Sequence, residues 1–531
     1  MRNLNTTRKS QVTYDDVLPY LGQFGRYQKR IFVLLCLPTV SCALHKLGGV
    51  FLQARAQHRC RLPHEEGNVT FEAAAGDCTL PDNSSCASWV YDTAAHGSTV
   101  TSEFDLVCKD AWFRAMADSL FMVGVLLGSI IFGELSDRYG RRPTFFTSLV
   151  LQVAAGLLAA AAPNFTCYII ARMLIGASTS GVFLVAYVLA MEMVGPRKRL
   201  HVGVICQFFF TGGYMLTALF AYFIRDWRML QVALSLPGVL FLSYWWFVPE
   251  SARWLLAQGR HEEARQLLLK AAVENQATIP EDVLRRLAAP ALKPAAAQDH
   301  KPSVLDLVRH ANLRSKALNI FFCWFVNSGT YYGLSWNTSN LGGNEYINFI
   351  ISAAVEFPAF FFLLLTLNRW GRKSILCGCM LTGGVVLMLT LLVPSGMNWL
   401  VVTLAMAGKM GITASYTTVY IFSIEQFPTV VRNVALGASS TSARIGGILA
   451  PCANLLADYW QPLPLLIFGS LAVSSGLLTL LLPETLNRKL PDTIEEGEQF
   501  GKSCSQQQLT SCSSSGELCG ADKECAPSKQ R

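Results

Sequence analysis

Ionisable side chains inside long apolar stretches are the residues of this chain that could do the most chemistry. Arg444, Glu356 and Lys409 each lie near the middle of such a stretch, and Lys46 lies in the first one. A charge in lipid is expensive, about 3 kcal/mol or far more for an arginine at mid-depth, so each group must face a cavity or a partner. Their chemistry is electrostatic recognition, and Arg444 would receive a carboxylate or another anionic group.

The sequence leaves the pairing of these charges open. Glu356 needs a cationic partner or a proton, and either Lys409 or Arg444 would satisfy it. If Arg444 pairs with Glu356, its role is structural instead of substrate binding. Lys46 can either extend toward the membrane surface or add positive charge to the cavity.

An aromatic-rich stretch around residue 330 offers a second kind of recognition. Quaternary ammonium groups bind the faces of aromatic rings with about 0.5–2 kcal/mol each. Most aromatic side chains in a membrane helix only pack or face lipid, but Tyr331 and Tyr332 follow small residues and are the better candidates. Two weaker candidates for substrate binding lie in the fifth apolar stretch, Gln207 and Tyr214.

The helices that must hold these residues are visible as apolar stretches. Of the 531 residues, 52% are hydrophobic and 15% charged, whereas soluble domains carry about 25% charged residues. A spanning helix needs about 20 mostly apolar residues. We predict twelve spans: 31–51, 112–133, 144–162, 168–190, 201–223, 229–248, 317–336, 346–367, 375–394, 399–422, 433–456 and 463–482. Their grouping predicts an all-α membrane protein with two six-helix bundles.

The charged loops predict how the chain is oriented in the membrane. Lys and Arg collect in the connections between spans 2 and 3, 4 and 5, and 8 and 9, and cytoplasmic loops carry such an excess. Residues 1–30 contain no apolar signal segment, so the first span is expected to be an uncleaved anchor. The predicted organisation is a cytoplasmic N-terminus (1–30), a first bundle (31–248) with an extracellular loop (52–111), a cytoplasmic linker (249–316), a second bundle (317–483) and a cytoplasmic tail (484–531).

The long loop at 52–111 has the composition of an extracellular segment. It contains four cysteines, Cys60, Cys78, Cys86 and Cys108. An even number of cysteines in an oxidising compartment predicts two disulfides, with three possible connectivities. The loop also contains glycosylation sequons at Asn68 and Asn83, which agree with the orientation derived from charge.

A short motif rich in Gly and Arg occurs at corresponding positions of the two groups of helices. The first copy follows span 2 and contains Gly133, Asp137, Arg138, Gly140, Arg141 and Arg142. The second copy follows span 8 and contains Gly371 and Arg372. Each copy is expected to form a tight turn that places charge at the ends of two helices. An ion-pair latch there can hold the two halves together in one state and release them in another. Two copies six helices apart favour this gating role over a simple topology signal.

These motifs resemble those of a known family. The first copy matches G-x-x-x-D-R-x-G-R-R, the signature of the major facilitator superfamily, whereas the second has Leu364 and Asn368 in place of the first Gly and the Asp. The strings at 249–255 (P-E-S-A-R-W-L) and 483–485 (P-E-T) resemble those of sugar and organic-ion facilitators. Together with the cysteine-bearing loop, they make the chain similar to the organic cation/carnitine transporters.

The resemblance implies roles for several residues. Arg444 occupies the position at which cation-selective members carry Asp and anion or zwitterion carriers carry Arg, which implies an anionic group on the substrate. Tyr331 and Tyr332 match positions that line the cavity of the family. Glu425, in the string E-Q-F-P-T-V-V-R-N at 425–433, matches an acid associated with sodium coupling, although an ion pair with Arg432 of the same string would explain it equally well. Lys46 departs from the neutral residues usual at its position, and this argues against a simple cation as substrate.

The sequence excludes two other classes of function. It has no G-x-x-x-x-G-K-[ST] motif for nucleotide binding and no H-E-x-x-H metal motif, so neither an ATP-driven pump nor an enzyme is expected. The net charge of +8 resides largely in short loops, so it does not indicate nucleic-acid binding.

We therefore predict a plasma-membrane transporter of small organic solutes that works by alternating access. The main prediction is a carrier of organic cations or zwitterions of the carnitine and betaine type, without a cofactor and with Na+ as a candidate coupling ion. An organic anion carrier is the alternative, and a potential-driven uniporter of simple organic cations is the third. The lipid bilayer and the solute are the expected partners, and the oligomeric state stays open.

Overall fold

The structure of this chain is a computed structural model that describes residues 14–501, except 63–70, 72–77, 79–85, 87, 95, 196–197, 289–302, 395 and 489. The sequons at Asn68 and Asn83 lie outside the described residues, so their glycosylation stays a prediction. Where the chain is described it is mostly helical, with one small two-stranded sheet.

The first half of the chain forms one bundle of membrane helices. These helices are apolar and continuous because lipid cannot pair with backbone N–H and C=O groups. In chain order this part contains α1 (Tyr14–Val17), α2 (Arg26–Leu47), α3 (Gly49–Leu52), α4 (Val100–Glu103), α5 (Trp112–Tyr139), α6 (Arg141–Ala160), α7 (Phe165–Glu192), α8 (Arg199–Phe223) and α9 (Trp227–Leu242). Four short helices follow between the bundles: α10 (Ala252–Ala257), α11 (His261–Asn275), α12 (Glu281–Ala288) and α13 (Val304–Arg309).

The second half forms the other bundle. In chain order it contains α14 (Ala311–Trp336), α15 (Glu345–Ala354), α16 (Glu356–Trp370), α17 (Arg372–Leu389), α18 (Asn398–Gln426), α19 (Arg432–Leu455), α20 (Leu463–Thr479) and α21 (Ile494–Gln499). The eighth span is divided between α15 and α16, since Pro358 cannot donate a backbone hydrogen bond and fits best in the first turn of a new helix. This break places Glu356 at the start of α16.

Each of the twelve predicted spans coincides with these helices. Eight spans in the described part of the chain are long and apolar enough to cross a membrane by length and hydropathy alone. The other four are α14, α18, α19 and α20 of the second bundle. Two of them carry the charges of Lys409 and Arg444, which lower hydropathy, and α20 has only 17 residues. The prediction of an all-α membrane protein with twelve spans in two bundles is confirmed.

The connection between α3 and α5 forms a small folded unit on one side of the bundles, which we call the loop face. Its two strands, β1 (His58–Cys60) and β2 (Trp89–Tyr91), pair antiparallel. The disulfides are Cys60–Cys86 and Cys78–Cys108, with Cα atoms 5.4 and 5.8 Å apart. The structure thus selects one of the three connectivities that the cysteine count allowed.

Glu103 anchors this loop unit to the first bundle. Its carboxylate accepts hydrogen bonds from Trp227 Nε1 at 2.6 Å and from Arg228 Nη2 at 2.5 Å. Burial alone would raise the pKa of this carboxyl group, but the two hydrogen bonds and the charge of Arg228 outweigh burial and lower the pKa. The anchor is therefore fully formed at neutral pH and is lost only as the pH falls through that lowered pKa.

The opposite side of the bundles, which we call the motif face, carries the two Gly/Arg turns. Gly140 has a φ of +111°, and a Cβ there would lie 2.5 Å from a carboxylate oxygen of Glu250. That carboxylate accepts hydrogen bonds from the backbone N–H groups of Arg141 at 2.9 Å and of Arg142 at 3.2 Å. Glycine is needed here both for the left-handed turn and for the approach of Glu250, which caps the start of α6.

The second turn repeats this arrangement. Gly371 has a φ of +90°, and a Cβ there would lie 2.5 Å from a carboxylate oxygen of Glu484. Glu484 accepts hydrogen bonds from the backbone N–H groups of Arg372 at 3.0 Å and Lys373 at 3.1 Å. The P-E-S and P-E-T strings, which sequence reasoning identified only by resemblance, therefore supply the carboxylates that cap α6 and α17.

The motif arginines make ion pairs within their own bundles. Arg141 pairs with Asp137 at 2.7 Å and with Glu192 at 3.3 Å. Arg372 pairs with Glu425 at 3.2 Å. In this conformation these contacts tie together helices of the same bundle, so the latch between the two halves stays a prediction for another state.

The remaining motif residues have separate contacts. The guanidinium of Arg142 donates to the backbone carbonyl of Trp245 at 2.6 Å. The guanidinium of Arg138 lies 5.4 Å from the ring centre of Tyr139. Gly133 has room for a methyl group, because the nearest atom to a Cβ built there is 3.8 Å away. Of the three motif glycines, Gly140 and Gly371 are therefore the ones that the geometry requires.

We expect Glu250→Ala and Glu484→Ala each to lower the thermal stability of the purified protein. Either change leaves backbone N–H groups at a helix start without their partner, at a cost of about 1–3 kcal/mol. Thermal unfolding in detergent measures the effect. Glu262→Ala on α11 is the control, since its carboxylate is 68% exposed and its loss should leave the melting temperature unchanged. Unchanged melting temperatures in the first two variants would contradict the capping role.

Candidate functional site

A buried ion pair lies inside the second bundle. Lys409 Nζ on α18 is 3.4 Å from Glu356 Oε1 on α16, and the two side chains are 0% and 1% exposed. Of the two partners that the sequence left open for Glu356, the structure selects Lys409. Pairing of this kind allows two charges to remain ionised away from water.

Hydroxyl groups from both bundles satisfy the Glu356 carboxylate. It accepts hydrogen bonds from Tyr331 OH at 2.7 Å and from Thr211 Oγ1 at 2.6 Å. Tyr331 belongs to α14 of the second bundle, whereas Thr211 belongs to α8 of the first. Glu356 is therefore one point at which the bundles touch.

The Lys409 ammonium is satisfied in the same way. It donates to Ser352 Oγ at 2.7 Å and to Tyr214 OH at 3.1 Å. It also lies 4.4 Å from the ring centre of Tyr214, which is fully buried on α8. The predicted binding residue Tyr214 thus holds the charge pair of the opposite bundle, and its contacts are with protein groups.

Two further positive charges lie in one shared environment. Arg444 on α19 is half-buried, and Arg444 Nε has no hydrogen-bond partner among the described residues. The ammonium of Lys46 on α2 lies 4.6 Å from the ring centre of Tyr332. Arg444 lies close enough to Lys46 for the two positive charges to repel each other. Within the described part of the chain, we find no carboxylate that forms an ion pair with either of these cations.

Aromatic rings pack in a contiguous cluster next to these charges, which we call the aromatic wall. Its members are Trp324, Tyr331, Tyr332, Trp336, Tyr416 and Tyr420. Neighbouring ring centres are between 4.2 and 6.3 Å apart. Three of these tyrosines, Tyr332, Tyr416 and Tyr420, lie close to the Arg444 side chain, and Tyr420 also forms a hydrogen bond with it.

This arrangement can recognise two kinds of charge at once. The charge of Lys409 is cancelled by Glu356, but the charges of Arg444 and Lys46 are not cancelled. An anionic group would therefore be attracted to Arg444 and Lys46. The faces of the aromatic wall can hold an ammonium group by cation–π attraction.

Two predicted residues lie at the edge of this region or away from it. Gln207 is half-buried on α8, one helical turn before Thr211, and so lies on the helix face that approaches Glu356. Glu425 lies on the motif face, where it accepts a hydrogen bond from Thr485 Oγ1 at 2.5 Å and pairs with Arg372. Its ion-pair partner is thus Arg372 of the second turn and not the predicted Arg432, which donates to the backbone carbonyl of Phe427 at 3.4 Å.

Sequence reasoning missed one buried ion pair. Arg172 Nη2 on α7 lies 3.1 Å from Asp118 Oδ1 on α5, and Arg172 is fully buried. Both residues fall within predicted spans, so the rule that singled out Glu356 and Lys409 would have found them. Tyr416 and Tyr420 were also missed, because only the packing of α18 distinguishes them from other tyrosines.

Several known proteins are similar to this chain in sequence. A model of the "Sugar (and other) transporter" family matches residues 80–496. An "Organic cation transporter protein" of Drosophila melanogaster is 54% identical, and the match covers 96% of this chain and 98% of that protein. The human "Organic cation/carnitine transporter 2" is 36% identical, with 91% of this chain and 93% of that protein covered.

Solved structures show the same architecture. The inward-open xylose transporter XylE from E. coli aligns with a TM-score of 0.60, covering 89% of this chain and 100% of that chain. A second structure of XylE, bound to 6-bromo-6-deoxy-D-glucose, aligns with a TM-score of 0.57. Both are 16% identical in sequence, so the similarity concerns the fold alone.

We expect Lys409→Met and Glu356→Gln to be non-additive in a double-mutant cycle. Either single change leaves a buried charge or polar group without its partner and should cost about 3–5 kcal/mol, whereas the double variant should recover part of that loss. Thermal unfolding of the purified protein measures the coupling.

The control for this cycle is the ion pair between Arg30 and Glu274, whose side chains are 44% and 32% exposed. Breaking a pair at such an exposed site should change stability by about 1 kcal/mol or less. Equal coupling energies in the two cycles would mean that the buried pair stabilises the protein no more than the exposed pair does.

Proposed function

This chain belongs to the organic cation transporter family of the major facilitator superfamily, and from that premise we propose that it carries organic cations or zwitterions of the carnitine and betaine type. As a member of this family it is a transporter of small organic solutes and not an enzyme. The proposed mechanism is alternating access at the plasma membrane, with the motif face and both termini on the cytoplasmic side.

The observation that supports a zwitterion is the uncompensated charge of Arg444 beside the aromatic wall. A betaine has a carboxylate at one end and a quaternary ammonium at the other. The carboxylate would bind Arg444, and the ammonium would pack against the rings of Tyr416 or Tyr420, since Lys46 already lies against Tyr332. The name of the human relative, which includes carnitine, is consistent with this substrate class.

An organic anion carrier is the second candidate. It is favoured by Lys46, which adds a second positive charge to the environment of Arg444. A carrier of simple organic cations is the third candidate, and it would need the aromatic wall to outweigh the repulsion of both cations. Competition among a quaternary amine, a betaine and a dicarboxylate distinguishes the three.

The contacts between the bundles support an alternating-access cycle in which this conformation is closed on the loop face. There, Arg55 pairs with Asp458 at 2.6 Å, and His96 Nε2 lies 2.5 Å from Glu345 Oε1. Each pair joins a residue that precedes α5 to a residue of the second bundle. Opening the loop face would have to break both pairs.

We expect wild-type protein in transfected cells to take up radiolabelled carnitine, and we expect Arg444→Asp to reduce carnitine uptake at least about tenfold while gaining uptake of tetraethylammonium. The reason is that a carboxylate loses a charge-assisted hydrogen bond and meets a like charge, whereas a simple cation gains a partner. Surface biotinylation corrects uptake for the amount of protein in the membrane.

Arg30→Gln is the control for that experiment, because it removes an exposed arginine far from the aromatic wall. It should leave both uptakes unchanged. Uptake of tetraethylammonium alone by the wild type, with Arg444→Asp lowering only surface expression, would make Arg444 structural and remove the basis for a zwitterion substrate.

Sodium coupling through Glu425 has a matched internal control. Glu192 pairs with Arg141 in the first turn as Glu425 pairs with Arg372 in the second. If Glu425 couples sodium, Glu425→Gln should raise the sodium concentration for half-maximal uptake, and Glu192→Gln should not. If both variants lower maximal uptake without changing the sodium dependence, Glu425 is a structural acid of the motif.

A further inference from the structure

The part of the loop unit that ends at Ser98 is fastened to the first bundle. The backbone N–H of Ser98 donates to the carbonyl of Arg225 at 3.2 Å, and the N–H of Trp227 donates to the carbonyl of Ser98 at 3.2 Å. The guanidinium of Arg225 also donates to the carbonyl of Ala94 at 3.3 Å. These partners lie at the turn between α8 and α9. His96 therefore moves with the first bundle.

The imidazole of His96 reaches the second bundle. His96 is buried, and its Nε2 lies 2.5 Å from Oε1 of Glu345, the first residue of α15. The ring of His96 also lies 6.2 Å from that of Tyr346, which stacks at 5.2 Å on Phe51 of the first bundle. The His96–Glu345 pair is therefore part of a packed contact between the bundles.

The groups around His96 differ in whether their charge changes near neutral pH. Among the described residues these groups are Asp92 of the loop unit, Tyr222 of α8, Arg225 and Asp226 of the turn before α9, and Glu345 and Tyr346 of α15. Carboxyl, phenol and guanidinium groups ordinarily titrate well outside the range from pH 6 to 8, whereas an imidazole ordinarily has a pKa of about 6.5. Of this set with His96, the imidazole is therefore the group whose charge changes in that range.

Protonation of His96 strengthens the contact between the bundles in the closed conformation. A neutral imidazole makes an ordinary hydrogen bond to a carboxylate, whereas an imidazolium makes a stronger, charge-assisted one. Opening of the loop face separates His96 from Glu345, so the closed conformation binds the proton more tightly. Falling pH therefore favours closure, and the extra stabilisation is lost as the pH rises through the range in which the imidazole titrates.

A second pair on the same face does not titrate in this range. Arg55 pairs with Asp458 of the second bundle at 2.6 Å. The guanidinium of an arginine keeps its charge at every physiological pH. The loop face thus carries one pair that responds to protons and one that holds the bundles together at constant strength.

We propose that the His96–Glu345 pair is a proton sensor that holds the loop face closed when the medium outside the cell becomes acidic. Because influx requires the loop face to open, external acid slows influx of whichever solute is carried. The proposal rests on the orientation and the alternating-access cycle proposed above, and on no particular substrate.

The test measures opening of the loop face in intact cells with a membrane-impermeant maleimide. Ser335→Cys places the thiol that reports opening: Ser335 is fully buried, and its carbonyl accepts a hydrogen bond from Tyr214 OH of the other bundle at 3.4 Å. Cys167→Ser and Cys452→Ser remove two free cysteines that are not fully buried. The labelling rate of each further variant is divided by that of this parent at the same external pH, 8 or 6. The ratio cancels the pH dependence of the thiol itself.

We expect His96→Gln to label at nearly the parent rate at pH 8 and about fivefold faster at pH 6, because the parent then has the charge-assisted hydrogen bond and the variant has not. Glu345→Gln should do the same from the opposite bundle, and it decides the test if His96→Gln does not reach the cell surface. His58→Gln is the matched control, since the ring of His58 packs within the loop unit, 5.3 Å from that of Trp89, and its ratio should be one at both pH values. Arg55→Gln should raise the ratio equally at both.

Two results would overturn the proposal. An equal ratio at pH 8 and pH 6 in either His96→Gln or Glu345→Gln would mean that the pair does not sense protons. An effect of His58→Gln at pH 6 as large as that of His96→Gln would mean that the loop unit as a whole responds to acid. Failure of the zwitterion proposal appears in the uptake measurements and leaves these labelling rates unchanged, so the two failures are distinguishable.

Discussion

The ion pair between Lys409 and Glu356 sets the strongest constraint on how this protein can move. Both charges belong to the second bundle, on α18 and α16, and both are buried. The contacts that reach the first bundle, from Thr211 and Tyr214, are made by neutral hydroxyl groups. Separating the bundles here would give up two hydrogen bonds between a hydroxyl and a charged group, worth about 1.5–3 kcal/mol each, and would leave intact the buried ion pair, whose loss costs about 3–5 kcal/mol. At this depth the ion pair therefore stays inside one bundle and hydroxyl groups join the bundles, whereas on the loop face the pairs Arg55–Asp458 and His96–Glu345 join them.

On the motif face, each of the two turns also forms its ion pairs within its own bundle. Each turn has a glycine with positive φ, an arginine that pairs with an acid of its own bundle, and a glutamate that caps the next helix. The repeat accounts for the position of Glu425, which corresponds to Glu192 and already holds Arg372. A sodium ion at Glu425 would have to compete with that arginine. Sodium coupling through Glu425 would therefore have to change the Glu425–Arg372 ion pair, and with it the geometry of the turn.

The helices were predictable from sequence because lipid imposes a length and a polarity that few other structures share. Which of the buried charges form ion pairs with each other was harder to predict. Glu356 had two possible partners at comparable depth, and only the packing of α16 against α18 decides for Lys409. Tyr416 completes the aromatic wall from a part of α18 that no motif marks. By contrast, the ion pair of Arg172 and Asp118 could have been predicted from the sequence, because both are charged residues within predicted spans.

The neutralisation of Lys409 bears directly on substrate class. With Glu356 occupied, we find no carboxylate among the described residues that pairs with Arg444 or Lys46. At an effective dielectric constant of about 20, a unit charge roughly 6 Å from another like charge is repelled by about 3 kcal/mol. One aromatic ring offers a cation about 0.5–2 kcal/mol, so a simple cation would need several rings to compensate for two such repulsions. A zwitterion avoids the problem, because its carboxylate screens the cations that its ammonium would otherwise meet. The aromatic wall then needs only to orient the ammonium, and the rings around Arg444 are placed to do so.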